Sequence, residues 1–404
     1  MKQGVKWPYF PYDEYRRRID RAKQLLNKHG LDAMLLFSPT SWWYYGGWTD
    51  AAQMHNDCWR SAMILCADRD PVVVAHNAFQ STLALNTYIE DMRMWTELSR
   101  RRPNAFWPLF FSTIEDLGLS NGVLGVETGP DIDTYLSFDE YETLHKGLPG
   151  AKLVSADPVI WEQRMVKTPY EVEIIREGCH RACAVVGAAL EAIRPGVNEL
   201  EVHRVFWKAA AENDLHNSPN VATWLCWSSN PGEAGGVMRW ITPPVDRIIQ
   251  TGDQGICDCG PSYKGYQFDF QRTFYVGDPP QKQIDLYNIA REGFLETIAG
   301  IKPGIRICDI YHAAVENIQK RDPQQRPVVD FMGHGSGLAN HEPPWIRADN
   351  ETVVQPGMVL CIELGAFDRD LEVVGGMPED IVLVTDDGNE NLTRYLSHDL
   401  WIAK

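Results

Sequence analysis

The sequence predicts an α+β protein in two parts, a smaller α/β domain over residues 1–158 and a duplicated α+β domain over 159–404. Three observations lead there. The chain has 404 residues, more than one small core organises. Its first part alternates strand-like apolar runs with helical patterns. Its second part repeats itself: AIRPGVNELEVHRVFWKAA is echoed by GIKPGIRICDIYHAAVENI. Each copy is a helix end, a Pro-Gly turn, a polar cap and an amphipathic helix, and each continues into strands. Two helix pairs backing one antiparallel sheet, with a site between the halves, is the expected arrangement.

The elements follow in order. Residues 12–30 (YDEYRRRIDRAKQLLNKHG) predict an amphipathic helix stopped by Gly30. LDAMLLFS predicts a buried strand, SAMILCA and PVVVAH a strand pair, and GVLGVET a further strand. Residues 139–147 predict a helix, and AKLVSAD closes the unit. The stretch VIWEQRMVKTPYEVEIIREGCHRACAVVGAALEAI carries a long helical pattern that stops at Arg194-Pro195-Gly196. A second helix starts near Asn198, and the chain then turns β-rich through VATWLCWS, DQGICDCG and YQFDFQRTFYVG.

Bulk properties exclude several functions. A formal charge of −17 argues against binding to nucleic acid or anionic membrane surfaces. The start, MKQGVKWPYFPYDEYRRRID, lacks a leader-type apolar run, and no window offers the roughly 18 apolar residues of a membrane span. A cytoplasmic protein is expected. The cysteines lie mostly in apolar stretches (Cys66, Cys226, Cys257, Cys259, Cys361), which predicts buried free thiols, not a disulfide framework.

The chemistry concentrates in five residues: Asp258, Asp269, His334, Glu363 and Glu379. Their contexts are CDCGPSYKGYQFDFQRTF, GHGSGLANHEPP, PGMVLCIELG and GGMPEDIVLVT. Acidic side chains rarely enter such apolar runs without a charge partner. Strand alternation turns Cys257 and Cys259 away from Asp258, so the C-x-C pair and the aspartate serve different faces. Gly260 permits a turn, and the returning segment forms a hairpin that brings Asp269 beside Asp258. Three glycines around His334 permit unusual backbone angles and close approach. Either Glu379 or Asp380 faces the site, since alternation allows only one. Four carboxylates and an imidazole suit two divalent cations, which activate water or polarise a substrate oxygen.

The ordered set D-x-G, D-x-x-R-T, G-H-G-x-G-L-x-x-H-E-x-P, P-G-M-V-x-x-x-E, P-E-D resembles the pita-bread metalloenzymes, including methionine aminopeptidase, aminopeptidase P, prolidase and creatinase. The resemblance covers roughly residues 160–395 with specific motifs, Arg164 to Glu171 looking like the start of the catalytic domain. It extends loosely to the N-terminal domain. It implies a C-terminal pita-bread catalytic domain behind a creatinase-like α/β domain. The five residues then match the ligands of two metal ions (Mn, Fe, Co or Zn), with Asp269 and Glu379 bridging. Glu363 matches the group that takes or gives the proton of an activated water, and His341 a histidine that contacts substrate or stabilises the transition state.

There is one departure. Peptidases of the family carry a further histidine upstream of the first ligand, where this chain reads SSNPGEAGGVMRWITPPVDRIIQTGD without one. Creatinase keeps that histidine and loses ligands. The family's dimethylsulfoniopropionate lyase also lacks it and shares His55-Asn56-x-x-x-Arg60 and PGMVLC, but lacks the match to His341. The expected function is metal-dependent hydrolysis of a C–N bond in a small substrate, either an Xaa-Pro dipeptide or a non-peptide amide or amidine. The alternative is a lyase acting on a small onium carboxylate.

The segment SWWYYGGWTDAAQMHNDCW packs Trp42, Trp43, Tyr44, Tyr45, Trp48 and Trp59 close together. Consecutive rings cannot all face one core. The resemblance implies a homodimer in which this segment reaches the partner's site. Trp43, Tyr45, Trp48, His55 and Arg60 are therefore expected to close the neighbouring pocket, with Arg60 or Arg239 anchoring a substrate carboxylate.

Overall fold

The computed structural model describes residues 4–48, 59–96, 105–132, 134–215, 242–327, 330–368, 373 and 375–404, with the backbone of 225–227. The chain divides into two units, Met1–Arg164 and Met165–Lys404.

The first unit is built on a six-stranded sheet. Its strands are β1 (Ala33–Leu36), β2 (Ala62–Cys66), β3 (Val72–His76), β4 (Asp91–Trp95), β5 (Val123–Val126) and β6 (Lys152–Ser155). Their order is β4-β3-β2-β1-β5-β6. β2 pairs antiparallel with both β1 and β3, and the other pairings are parallel. β1, β2 and β3 are buried along their whole length, as continuous apolar runs require in a sheet covered on both faces. The helix Tyr12–His29 buries Tyr15, Ile19, Ala22, Leu25 and Leu26, one stripe of its surface, and stops at Gly30 with φ 67°.

Two elements of this unit escape the sequence patterns. β4 (DMRMW) is an edge strand that buries only Trp95, so its alternation is weak. The helix Phe106–Asp116 carries Pro108, which reads as a breaker. In the first turn, however, a missing N–H costs nothing.

The second unit contains both copies of the echo as helix pairs. Thr168 caps the helix Pro169–Ala192 through a reciprocal capping box with Glu171, which the string TPYE encodes. The chain turns at Gly196 and enters Glu199–Glu212 under an Asn198 cap. The second pair is Gln281–Ala299 and Ile307–Gln319. Gly196 (φ 86°) and Gly304 (φ 90°) hold the same left-handed position in the two turns.

The strands here are β7 (Leu225–Trp227), β8 (Gln254–Cys259), β9 (Ser262–Tyr263), β10 (Tyr266–Gln267), β11 (Phe270–Val276), β12 (Gly333–Gly335), β13 (Val359–Glu363), β14 (Glu379–Val384), β15 (Asn389–Asn391) and β16 (Trp401–Ala403). They form two four-stranded sheets, β16-β11-β8-β7 and β12-β13-β14-β15, and a β9–β10 ribbon. One continuous antiparallel sheet was the expectation. Instead β16 pairs parallel with Phe274–Val276 and leaves the start of β11 facing β14. There the Arg272 guanidinium, not a strand ladder, makes the junction, donating from Nη1 to the Glu379 carbonyl at 2.8 Å.

Candidate metal centre

β8 and β11 are antiparallel, with Asp258 opposite Gln271. Asp269 immediately precedes β11, so the β9–β10 ribbon returns it beside Asp258. In the other sheet His334 on β12 lies opposite Cys361 on β13, and Glu363 lies directly opposite Glu379 on β14. Two carboxylates facing each other across neighbouring strands destabilise a sheet unless something positive sits between them.

The loop around His334 needs its glycines for close approach. A Cβ on Gly333, at φ 133°, would overlap the Cys361 carbonyl, and one on Gly335 would overlap the Pro343 carbonyl. This lets the His334 strand lie tight against β13 and against the segment carrying His341.

The side chains converge. Ligand atoms of Asp258, Asp269 and Glu379 lie within 4.8 Å of one another, as do those of Asp269, His334 and His341. His334 Nε2 is 3.5 Å from Asp269, 3.8 Å from Glu379 and 3.9 Å from Glu363. His341 Nε2 is 3.2 Å from Asp269 and belongs to a half-exposed side chain. Asp269 Oδ2 also accepts from Asn340 Nδ2 at 2.7 Å, and Gln271 Nε2 donates to Glu379 at 3.1 Å.

The electrostatics are those of crowded buried carboxylates around an imidazole. Burial first, then the Asp269 charge, push Asp258 and Glu379 well above the usual carboxylate range. The same causes raise Glu363 to about 7. Burial lowers His334 to about 4, so its ring is neutral. Burial also opposes charging of His341, but its hydrogen bond to Asp269 and the attraction of Asp269 and Glu363 prevail and raise it.

The donor set fits a metal. The Gly335 carbonyl can only accept, so its 2.9 Å contact with His334 Nδ1 places the ring proton there. Nε2 then presents a bare lone pair toward three carboxylates, and it has no hydrogen-bond partner. Asp258 Oδ1 is buried and equally unpartnered. Orphaned acceptors facing one another are costly alone and satisfied by a divalent cation.

A pH consequence follows. Without metal, folded Glu363 binds a proton between its ordinary value near 4.5 and about 7, whereas the unfolded chain does not. Stability of the chelated protein is therefore expected to fall as pH rises through that window. Bound cations keep the carboxylates ionised and remove the loss. Thermal unfolding across pH, with and without chelator, measures it; equal pH dependence in both forms contradicts it.

Several supporting groups carry no sequence signal beyond their position. Asp380, the rival of Glu379, turns to the opposite face and accepts from Arg272 at 2.8 Å and from Thr393 Oγ1 at 2.8 Å. Asn391 and His398 also contact it. Burial would raise Asp380, but Arg272 and His398 hold it down at about 2. Glu342, next to His341, is buried and paired with buried Lys167 at 3.0 Å. Lone charges in apolar strings reveal burial but not partners that are distant in sequence, which is why these pairs escaped.

The aromatic expectation needs correction. Trp43, Tyr45 and Trp48 are 3%, 0% and 1% exposed. Trp43 packs edge-on against Phe10, Trp48 stacks on Trp42 at 4.9 Å, and Tyr45 lies against Tyr44 and 3.4 Å from Gln163. Arg18, itself buried, lies against Phe10, Trp43 and Tyr44. A short helix, Pro39–Gly46, turns successive rings to different neighbours that are all interior. These rings are core, not the walls of an open cleft. Arg60 is likewise engaged, with Nη2 2.6 Å from Glu140 and Nη1 donating to the Tyr135 carbonyl. His55, Arg239 and most of the histidine-free stretch lie outside the described residues. The seven described cysteines are free and buried. Among the described residues no helix is long and apolar enough to cross a membrane.

Comparison with known proteins identifies the family. Residues 173–386 match the profile of metallopeptidase family M24, and residues 18–166 match the creatinase/prolidase N-terminal domain. A creatinase from Bacillus sp. is 26% identical over 398 residues, covering 96% of this chain and 92% of that protein. An Xaa-Pro dipeptidase from Pyrococcus furiosus is 31% identical over 264 residues, 65% of this chain and 73% of that one. The prolidase structure from Thermococcus sibiricus shares the fold, with TM-score 0.80 and 21% identity over 96% of this chain and 99% of that one. Together with the converging carboxylates, these matches place the chain in metallopeptidase family M24, as a metallohydrolase of the Xaa-Pro peptidase and creatinase type with a pita-bread catalytic domain.

Proposed function

We propose that Asp258, Asp269, His334, Glu363 and Glu379 hold two divalent ions, with Asp269 and Glu379 shared between them, and that the chain hydrolyses a C–N bond in a small substrate. The observation that carries this is the set of unpartnered ligand atoms, Asp258 Oδ1 and His334 Nε2, facing the other carboxylates. Bound cations would polarise the scissile group and make water nucleophilic near neutral pH. The side chains do the rest. Glu363, opposite Glu379 across the strand pair and 3.9 Å from His334 Nε2, takes the proton of the attacking water and returns it to the leaving nitrogen. His341 is half-exposed while hydrogen-bonded to Asp269, so it can reach substrate and donate to the oxygen on which charge develops. Lys167 and Glu342 fix the segment from which His341 projects.

The substrate is an Xaa-Pro dipeptide or a non-peptide amide or amidine. The relatives named above are a creatinase and Xaa-Pro dipeptidases, which favours hydrolysis over elimination; the onium-carboxylate lyase draws no support from them. The chain acts as a soluble homodimer in this proposal. The test is turnover of Xaa-Pro dipeptides against cyclic amides, amidines and onium acids by metal-loaded protein. Water consumption with release of an amine, lost on chelation and restored by Mn, Fe, Co or Zn, is the expected result. Olefin release without water uptake, or turnover unaffected by chelation, would sink it.

A further inference from the structure

We propose that Cys361 is a sulfur donor to this metal centre, giving one of its ions a thiolate ligand and the centre a preference for zinc or cobalt(II) over manganese. The proposal rests on the five-residue metal centre proposed above and adds a sixth ligand to it.

Cys361 and Glu363 are two residues apart on β13, so strand alternation sends both side chains to one face. Across one neighbouring strand Cys361 lies opposite His334; across the other it lies opposite Ile381, two residues from Glu379. The thiol therefore sits among the ligands and not behind them. The ligand atoms of His334, Cys361 and Glu379 all lie within 4.8 Å of one another, and the three residues are at most 2% exposed. His334 supplies an independent sign of a ligand: its ring is fully buried and its Nε2 has no hydrogen-bond partner. The thiol donates a 3.3 Å hydrogen bond to the Asp269 carbonyl, which ties it to the backbone of another ligand, and it also hydrogen-bonds with the Ser336 side chain.

The neighbouring thiols differ. Cys257 and Cys259 flank Asp258 on the opposite face of β8, and Cys259 contacts the Phe270 carbonyl. Among the described residues no other cysteine shares a three-ligand group. A set of carboxylates and one imidazole accepts manganese, iron, cobalt or zinc; a thiolate is the donor that discriminates, because the softer ions gain most from sulfur. On coordination the Sγ–H bond breaks, the proton passes to solvent and the Sγ–metal bond forms.

Titration of the metal-free protein with cobalt(II) tests this. The expected spectrum has visible d–d bands, which report bound cobalt, and a near-ultraviolet thiolate-to-cobalt charge-transfer band. The latter disappears in both Cys361→Ser and Cys361→Ala while the visible bands persist. Zinc affinity relative to manganese drops by roughly tenfold in the same variants. Visible bands without the charge-transfer band in the unmutated protein overturn the sulfur donor and leave the five-residue centre standing. A charge-transfer band retained in both variants overturns it in favour of another thiol. No cobalt spectrum at all overturns the sulfur donor and the metal centre together.

Discussion

Asp269→Asn is expected to lower turnover by more than about a hundredfold and to weaken metal binding by at least as much, while the metal-free protein unfolds at the same temperature or higher. Both halves come from the same geometry. Asp269 faces His334 at 3.5 Å and is the carboxylate whose charge raises Asp258, Glu363 and Glu379. Removing that charge relieves the repulsion among buried carboxylates, which outweighs the weakened contacts to Asn340 and His341, so the metal-free fold is not destabilised. Loaded with metal, the same substitution deletes an anionic ligand that the cations need. A purely structural aspartate would behave in the opposite way, destabilising the metal-free protein and leaving metal affinity alone. Isothermal titration with zinc or manganese and thermal unfolding after chelation separate the two.

Arg272→Met is expected to destabilise the second unit by about 3 kcal/mol, the lower end of the range for breaking a buried ion pair. Arg272 and Asp380 are 1% and 0% exposed in their side chains and 2.8 Å apart. The loss stays at the lower end because Asn391, Thr393 and His398 still contact Asp380. Replacing both partners by apolar residues, Arg272→Met with Asp380→Leu, is expected to recover much of the stability, since no orphaned charge remains. The pair also imprints a pH dependence. Asp380 is lowered from its ordinary 3.8 to about 2 in the folded state. Its stabilisation is thus complete above about 3.8 and lost as pH falls toward 2, and Arg272→Met flattens that acid limb. Urea unfolding at several pH values measures both effects; an unchanged midpoint in the single variant contradicts the assignment. Arg272 also holds the Glu379 carbonyl, so activity is expected to fall with stability.

How far the sequence carried can be read from individual residues. Gly30, Gly196 and Gly304 stop or turn helices where the patterns place them, because a left-handed residue is a local requirement that glycine meets alone. The five acidic and histidine residues stood out because charge inside an apolar strand has few explanations; the structure groups ligand atoms of four of them and puts Glu363 3.9 Å from His334. Period-two alternation also chose correctly between the two faces at Asp258 and Cys259. It could not choose between Glu379 and Asp380, because the decision lies with Arg272, distant in sequence. Trp43, Tyr45 and Trp48 misled for a related reason. Ring density advertises a binding surface only if the rings are not already packed on Phe10, Trp42 and Tyr44, and those contacts are tertiary. The division into two sheets was hidden too, since the short β16 that covers one end of β11 lies at the far C-terminus.

An anomalous diffraction map of crystals grown with zinc or cobalt would bear most directly on the metal centre. Two peaks per chain are expected, both within coordination distance of Asp269 and Glu379, with Asp258, His334 and Glu363 among the remaining ligands. No peak among these five residues in protein that binds metal in solution, or peaks that none of the five holds, would contradict it.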